Sequence, residues 1–458
     1  MTDQPIGLTR TLRLPSVVLF GLAYMTPMIV FGTFGILAQK TGGAVPTAYL
    51  VALVAVLLTA WSYGRMAAAH PVAGSAYTYT RRAFGGHAGF LVGWAILLDY
   101  FFLPMAIWLI GAAYLSAAFP DVPQWVWILA FIGVTSAINI IGIRLANGVN
   151  IVLMLVQFAV LAAFVALCVR YALAGPEVRP LFSADPFTGS DGTLPAYLAG
   201  AAIAAYSFLG FDAVTTLTEE TVEPSRTIPK AIMLIALLGG GIFILAAYFT
   251  QLAFPGGDVA NVDSAAFDVA KAIGGDLFVM LFLAGLIVAQ FASGLSAQAS
   301  VGRLLLAMGR DDVLPRSAFG YVHPVLRTPV FNIALAGVVA LAALKLDVTT
   351  STSFINFGAF VAFIFVNLSV IKLLWMGAAE RGLGTIIGAL AVPVLGALSN
   401  LWLLVSLDEH AKVLGLAWLA LGIVYLAWLT RMFSQQPPET QFREAGDASI
   451  PTAQPGMR

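Results

Sequence analysis

Long apolar runs alternate with short polar segments along almost the whole chain. A transmembrane helix needs about 20 mainly apolar residues, and about twelve runs reach that length. The pattern therefore predicts an all-α membrane protein with about twelve transmembrane helices. The predicted spans are residues 16–38, 45–69, 86–116, 124–143, 148–173, 194–218, 229–254, 275–306, 329–346, 352–375, 383–406 and 412–433.

The polar segments divide the chain into three parts. Residues 1–14 form a short N-terminal segment, and residues 15–433 form the membrane domain. Residues 434–458 are polar and rich in Pro and Gln, which predicts a disordered tail.

The composition agrees with a lipid environment. Of the 458 residues, 60% are hydrophobic and 10% are charged, whereas soluble domains carry roughly 25% charged residues. The single Cys, Cys168, excludes a disulfide framework, and the four His residues lack a second ligand at metal spacing. No nucleotide motif or nucleophile–base pair is visible. We therefore expect no enzymatic reaction, metal, cofactor or nucleic-acid partner, and energy from an ion gradient or from substrate exchange.

The basic residues predict the orientation of the chain in the membrane. With the N-terminus in the cytoplasm, 17 of the 23 Lys and Arg residues lie in predicted cytoplasmic segments. Both termini are then cytoplasmic. The opposite loops hold more acidic than basic residues, which would concentrate cations at that face.

Only two acidic residues, Asp99 and Asp212, fall in the middle of predicted spans, and no Lys or Arg does. A carboxylate in a membrane faces a cavity or a partner and is by default a functional candidate. Two carboxylates without a fixed positive charge favour a cationic ligand, a proton or both. A diamine would satisfy both, although either Asp could also be protonated and hydrogen-bonded within the bundle.

Glycine and proline interrupt the first and sixth predicted spans, at Pro27 and Gly210 among other positions. Interrupted helices at matching positions of two halves indicate a transporter binding site, with simple kinks as the alternative. Carbonyl groups of unwound backbone and the rings of Tyr24, Tyr100 and Tyr206 suit an ammonium ion. The expected unwound residues are Ala23, Tyr24, Met25, Thr26 and Pro27, and Tyr206, Ser207, Phe208, Leu209 and Gly210.

Three stretches carry a resemblance to a known family: PVAGSAYTYTRRAFG, SFLGFDAVTTLTEETVEPSRTIPKAI and SVGRLLLAMGRDDVLP. On these, the chain resembles the amino acid–polyamine–organocation (APC) superfamily over residues 12–433. Within it, GLAYMTP, VGWAILLDYFFLPM, GFDAVTTLTEET and GYVHP are similar to the bacterial putrescine importers of the inner membrane.

The resemblance implies a LeuT-like fold of two inverted five-helix repeats, residues 15–173 and 194–375, with helices 1 and 6 broken and two further helices in 383–433. It also implies proton-coupled import by alternating access. Carried over by position, substrate-binding residues are Ala23, Tyr24, Met25, Thr26, Asp99, Tyr100, Tyr206 (an aromatic gate), Ser207, Leu209, Gly210, Asp212, Ser293, Ser296 and Asn356.

The chain departs from the family pattern at three places. Its first break lacks the usual glycine turn that binds a substrate carboxylate, and Pro27 has no N–H group. Gln157 stands where many members have a titratable Lys, and Gly32 stands where putrescine importers carry an acid. Proton coupling would then use Asp99, Asp212 or Glu219.

The leading hypothesis is a secondary active transporter that imports putrescine or a related small diamine or polyamine, together with protons. A diamine–amino acid exchanger, a cationic amino acid permease and a non-transporting membrane sensor remain alternatives. Membrane lipid is an expected partner, and the oligomeric state is left open.

Overall fold

The computed structural model describes residues 10–71, 75–142, 147–190, 192–256, 261–310, 313–378 and 382–437. These residues are helical almost throughout. Within these ranges there is no β-strand, only one isolated parallel bridge between Leu12 and Thr221. The first helices are α1 (Leu14–Met25), α2 (Ile29–Thr41), α3 (Val45–Ala69), α4 (Ser75–Phe84), α5 (Gly86–Ala118), α6 (Gln124–Ile141), α7 (Asn147–Ala174) and α8 (Asp185–Thr188).

The rest of the chain continues the all-helical pattern with several short irregular turns. The later helices are α9 (Leu194–Ala204), α10 (Pro224–Ala253), α11 (Ala265–Arg310), α12 (Arg316–Phe319), α13 (Val330–Ala340), α14 (Val348–Val370), α15 (Leu383–Ile386), α16 (Val392–Val405) and α17 (Glu409–Leu429). 3₁₀ turns occupy Ala205–Phe208, Ala213–Glu220, Val262–Ser264 and Leu341–Leu344, and π-helical segments occupy Ile371–Trp375 and Ile387–Ala391.

The number of spans is lower than the sequence predicts. By length and hydropathy, 10 helices of the described chain could cross a membrane, or 11 if the bent pair α1 and α2 is one span. The predicted span 329–346 is only the shorter apolar helix Val330–Leu344. It begins after Pro329, and Asp347 caps the next helix by accepting a hydrogen bond from the Thr350 N–H. These boundaries leave too few residues for a full span.

The first predicted span is broken, but later than expected. The axes of α1 and α2 differ by 49° across the break. Ala23, Tyr24 and Met25, predicted to be unwound, remain helical, and the break comprises residues 26–28. Thr26 has φ 55° and ψ 93°. The cause is Pro27, which lacks an N–H and disfavours helical geometry in the residue before it.

The sixth predicted span is also broken. α9 ends at Ala204 and tightens into the 3₁₀ turn Ala205–Phe208. Gly210 then takes φ 104°, which is open mainly to glycine, and the chain continues as the 3₁₀ segment Ala213–Glu220. Part of the predicted unwound segment, Tyr206–Phe208, is therefore 3₁₀ helix, and the sharp turn lies at residues 209–212.

α3 and α5 organise the packing around these breaks. α3 packs against α9, α10 and α16, and α5 packs against α4, α11 and α14. The periphery carries large apolar side chains that are more than half exposed, as lipid contact requires. Examples are Val152, Leu155, Val424 and Trp428.

The start of the predicted tail packs on the helix bundle. The Gln435 carbonyl lies 3.1 Å from His87 Nε2, and the Phe433 ring also contacts His87. The disorder predicted from residue 434 stays a prediction, because residues 438–458 lie outside the described residues.

Candidate functional site

A cavity of about 130 Å³ lies where the two breaks meet. It extends toward the side of the molecule at which α3 and α11 end and α5 begins. Below it is called the central cavity. Its lining residues include Tyr24, Tyr63, Ser75, Tyr77, Phe90, Trp94, Asp99, Tyr100, Leu209, Gly210, Asp212, Thr216, Leu304, Met308 and Phe363.

Asp212 reaches the cavity because the chain turns at Gly210 instead of continuing as an α-helix. It stands immediately before the 3₁₀ segment Ala213–Glu220, and its backbone carbonyl accepts hydrogen bonds from the N–H and hydroxyl of Thr215. Its side-chain Oδ2 accepts a hydrogen bond of 3.1 Å from Ser75 Oγ. The broken backbone thus places a hydrogen-bonded carboxylate in the cavity wall.

Asp99 approaches the same cavity from the middle of α5. Its Oδ1 is buried and has no hydrogen-bond partner within the described chain. Among the described residues that line the cavity, none carries a positive charge. Two carboxyl groups without a fixed counter-charge form a site for a cation, a proton or both.

Aromatic side chains make up much of the remaining wall. Tyr24, Tyr63, Tyr77, Tyr100 and Trp94 all line the cavity. Aromatic rings attract ammonium groups through their negative faces, and they pack against methylene chains as well. The lining can therefore hold a solute with an aliphatic body and cationic ends.

The opposite side of the breaks is closed by a buried chain of hydroxyl groups. Tyr49 OH lies 3.0 Å from Thr33 Oγ1 and 3.1 Å from Ser207 Oγ. These residues belong to α3, to α2 and to the 3₁₀ turn after α9. The trio joins the segments that follow the first break and precede the second.

Six of the sequence-predicted binding residues line the central cavity: Tyr24, Asp99, Tyr100, Leu209, Gly210 and Asp212. Ser207 instead bonds to Tyr49. Tyr206 is 3% exposed, and its hydroxyl is buried with no hydrogen-bond partner within the described chain. The remaining predicted residues that are absent from the described lining are Ala23, Met25, Thr26, Ser293, Ser296 and Asn356.

The predicted contributions from α11 and α14 lie elsewhere. Ser296 faces outward from α11, and the cavity instead meets that helix at Leu304 and Met308. Asn356 is fully buried, and its Nδ2 donates to the Ala202 carbonyl at 2.8 Å. The side chain of Glu219 lies outside the described residues, and Gln157 is a buried amide.

Sequence reasoning assigned no role to Ser75, Tyr63 or Trp94. Ser75 belongs to the PVAGSAYTYT stretch that helped to identify the family. A signal was available in that stretch, because it joins two spans and repeats aromatic residues. Nothing in the sequence, however, showed that it folds back to Asp212.

Two basic side chains, His70 and Arg82, are in contact near this part of the chain. His70 follows α3, and its Nδ1 lies 3.0 Å from Arg82 Nη1. Burial lowers the pKa of His70, and the neighbouring Arg82 guanidinium lowers it further. The imidazole is therefore neutral at physiological pH and adds no second positive charge beside Arg82.

Comparisons with known proteins agree with this architecture. The family model for amino acid permeases matches residues 16–380. The low-affinity putrescine importer PlaP of Escherichia coli K12 is 42% identical over 438 residues, covering 95% of this chain and 96% of that protein. Cationic amino acid transporter 4 of Mus musculus is 30% identical over 399 residues, covering 82% of this chain and 62% of that protein. The branched-chain amino acid permease BcaP of Bacillus subtilis is 25% identical over 457 residues, or 95% of this chain and 96% of that protein. This chain is a multi-pass membrane protein that belongs to the amino acid permease family.

Proposed function

We propose that this protein is a secondary active transporter that imports putrescine or a related small diamine across a bacterial inner membrane. The observation that carries the proposal is the pairing of Asp99 and Asp212 in one aromatic cavity, with no basic side chain among its described lining residues. The similarity to the putrescine importer PlaP over 95% of the chain supports the same substrate class.

The arrangement of the helices is the finer part of this proposal. Residues 15–173 and 194–375 form two inverted five-helix repeats of the LeuT-like type, followed by two helices in 383–433, with both termini cytoplasmic. The breaks after Met25 and after Ala204 support it, because they fall in the first helix of each half. The excess of basic residues in the assigned cytoplasmic segments supports the orientation.

In this orientation the central cavity opens toward the cytoplasm. The diamine enters from the outer side when the Thr33–Tyr49–Ser207 trio separates and Tyr206 moves. Its ammonium groups then meet Asp99 and Asp212, and its methylene chain packs against the aromatic wall. Rocking of the repeats brings the site to the observed arrangement, from which the diamine leaves.

Protons are the coupling ion in this proposal. A proton on one carboxyl group neutralises half of the site's charge and weakens its hold on a dication. Gln157 cannot titrate, so the proton is carried by Asp99, Asp212 or Glu219. The Ser75 hydroxyl on Asp212 and the unpartnered Oδ1 of Asp99 support different roles for the two cavity carboxyls.

A zwitterionic amino acid fits the described site less well. Its carboxylate would need hydrogen-bond donors, and Pro27 at the first break supplies no N–H. Two carboxyl groups in the wall would also repel it.

Uptake of labelled putrescine into proteoliposomes under an inward proton gradient tests the proposal. Unlabelled spermidine, ornithine and leucine serve as competitors. We expect gradient-driven uptake that diamines inhibit most strongly. Equal inhibition by neutral amino acids would indicate an amino acid permease instead. A strict need for an internal counter-substrate would indicate an exchanger, and binding without flux would indicate a sensor.

Removal of either carboxylate gives the first prediction. Asp212→Asn and Asp99→Asn should each weaken putrescine binding at least about tenfold, since each loses an ion pair worth more than about 1.4 kcal/mol. Asp276→Asn is the control, because Asp276 is exposed and contacts only Lys271 at 3.7 Å among its ion pairs in the described chain. Wild-type affinity in either cavity variant, measured on purified protein, would remove that residue from the site.

A further inference from the structure

Ser75, at the start of α4, has a backbone geometry that serine rarely adopts. Its φ is 50°, in the left-handed region where a side chain meets steric resistance. Glycine would adopt this conformation at no such cost. A strained residue that is not glycine persists where its side chain serves a purpose, so the contact made by the hydroxyl is informative.

That contact is with the carboxylate of the central cavity. Ser75 Oγ donates to Asp212 Oδ2 at 3.1 Å and joins two segments 137 residues apart in the chain. Both residues line the cavity. Asp99 differs, since its Oδ1 has no partner among the described side chains. Only one of the two carboxyl groups is therefore held in place by a hydroxyl donor in this arrangement.

The hydroxyl contacts leave the Asp212 carboxylate able to bind a cation. An ionised carboxylate offers about four acceptor positions, so the hydroxyls of Ser75 and Tyr63 restrain its rotation without filling all of them. A carboxylate that is already held in place loses less side-chain freedom when the solute binds, which lowers the entropic cost of binding. Tyr63, on α3, is a second side-chain hydrogen-bond partner of this carboxyl group and also lines the cavity.

We propose that Ser75 is a positioning residue for substrate binding: its hydroxyl holds the Asp212 carboxylate in the orientation that receives an ammonium group of the solute. The inference rests on the proposed function for the identity of the solute. It assigns to the start of α4 a direct part in setting affinity, although α4 is not one of the candidate membrane spans. The strained backbone of Ser75 is then retained because glycine, which fits better, carries no donor.

Two substitutions separate this role from a structural one. Ser75→Gly removes the hydroxyl and relieves the strain, whereas Ser75→Ala removes the hydroxyl and keeps the strain. We expect the melting temperature to rise or stay level in the Gly variant and to fall in the Ala variant. Putrescine affinity, measured at equilibrium on the purified full chain, should fall about five- to tenfold in both.

If Ser75 only shaped the fold, affinity would follow stability, and Ser75→Gly would bind putrescine at least as well as the wild type. That result would overturn the proposal. A wild-type protein that binds no putrescine would contradict the proposed function instead.

In that event the contact is tested without ligand, by thermal unfolding of Ser75→Ala in the wild-type and Asp212→Leu backgrounds, because leucine leaves no acceptor for the Ser75 hydroxyl. A smaller effect in the Asp212→Leu background supports the positioning of Asp212 by Ser75, and equal effects overturn it.

Discussion

The break between α1 and α2 and the break after α9 lie near the same cavity, which Tyr24 of α1 and Leu209, Gly210 and Asp212 of the second break line, but the two breaks have different constructions. At the first, Thr26 and Pro27 interrupt one helix, and α2 resumes at Ile29 with a bend of 49°. The missing N–H of Pro27 explains the interruption, and nothing prevents the helix from starting again. The first break is therefore a short joint between two regular helices.

The second break does not return to an α-helix until Pro224. After Gly210, the chain runs as a 3₁₀ segment of 8 residues, longer than such turns usually are. Three threonine hydroxyls on it, those of Thr215, Thr216 and Thr218, donate to carbonyls three residues earlier. Such bonds compete with regular helix geometry. The comparison teaches that the proline break redirects a helix, whereas the glycine break creates an irregular segment that carries Asp212.

The second break also touches the last turn of α1, and this contact gives the prediction with the largest effect in the comparison. A Cβ at Gly210 would lie 2.1 Å from Tyr24 Cδ1, and Gly210 has φ 104°. Gly210→Ala should lower the free energy of unfolding by about 2–4 kcal/mol through backbone strain and overpacking. Because Tyr24 must leave its place in the cavity wall, putrescine uptake should fall more than about tenfold.

Gly241→Ala is the matched control for that substitution. A Cβ at Gly241 meets nothing within 4 Å, and the residue lies inside α10. Alanine favours a helix by about 1 kcal/mol over glycine, so stability should stay level or rise. Uptake and melting temperature in detergent check both variants. Similar behaviour of the two would mean that the second break tolerates a side chain and does not depend on glycine.

Tyr49 links the two breaks on their closed side, and its hydroxyl gives a prediction of intermediate size. Tyr49→Phe leaves Thr33 Oγ1 and Ser207 Oγ without that partner in a buried place. We expect a loss of about 1–2 kcal/mol in the free energy of unfolding, the usual cost of unmade buried hydrogen bonds. Putrescine uptake should fall about threefold, because the closed state is less favoured.

Tyr79→Phe tests whether any buried tyrosine hydroxyl would give that result. Tyr79 is also fully buried, but its hydroxyl has no hydrogen-bond partner among the described residues. Removing it should leave the melting temperature unchanged or raise it. If Tyr49→Phe proved equally harmless, the hydroxyl trio would not hold the breaks together.

The features that could be predicted from the sequence are those with a local cause. Pro27 and Gly210 mark the breaks because proline and glycine act on their own backbone. Asp99 and Asp212 stood out because acidic residues in apolar spans are rare. The boundaries were less accurate, since Ala23 to Met25 stay helical and the break begins only at Thr26.

Other features depend on the arrangement of distant segments. Ser296 and Asn356, predicted to bind substrate, are absent from the described cavity lining, because the face that a helix turns toward the cavity depends on its neighbours. Ser75 was missed because the aromatic repeat of its stretch marks the segment but does not indicate which distant residue the serine contacts. Its partner Asp212 is found only when α4 folds against the second break.

Thr26→Gly gives the smallest effect and tests whether the first break depends on its proline alone. Thr26 has φ 55°, and glycine would relieve about 1–2 kcal/mol of strain while adding about 0.5–1 kcal/mol of chain entropy. We expect unfolding free energy to rise by about 0.5–1 kcal/mol with uptake almost unchanged. Ala23→Gly, three residues earlier and inside α1, should lower stability by about 1 kcal/mol, and thermal melts compare the two. A loss of stability in Thr26→Gly would mean that the 3.5 Å bond from Thr26 Oγ1 to the Tyr24 carbonyl holds the break, which would make it as dependent on side chains as the second one.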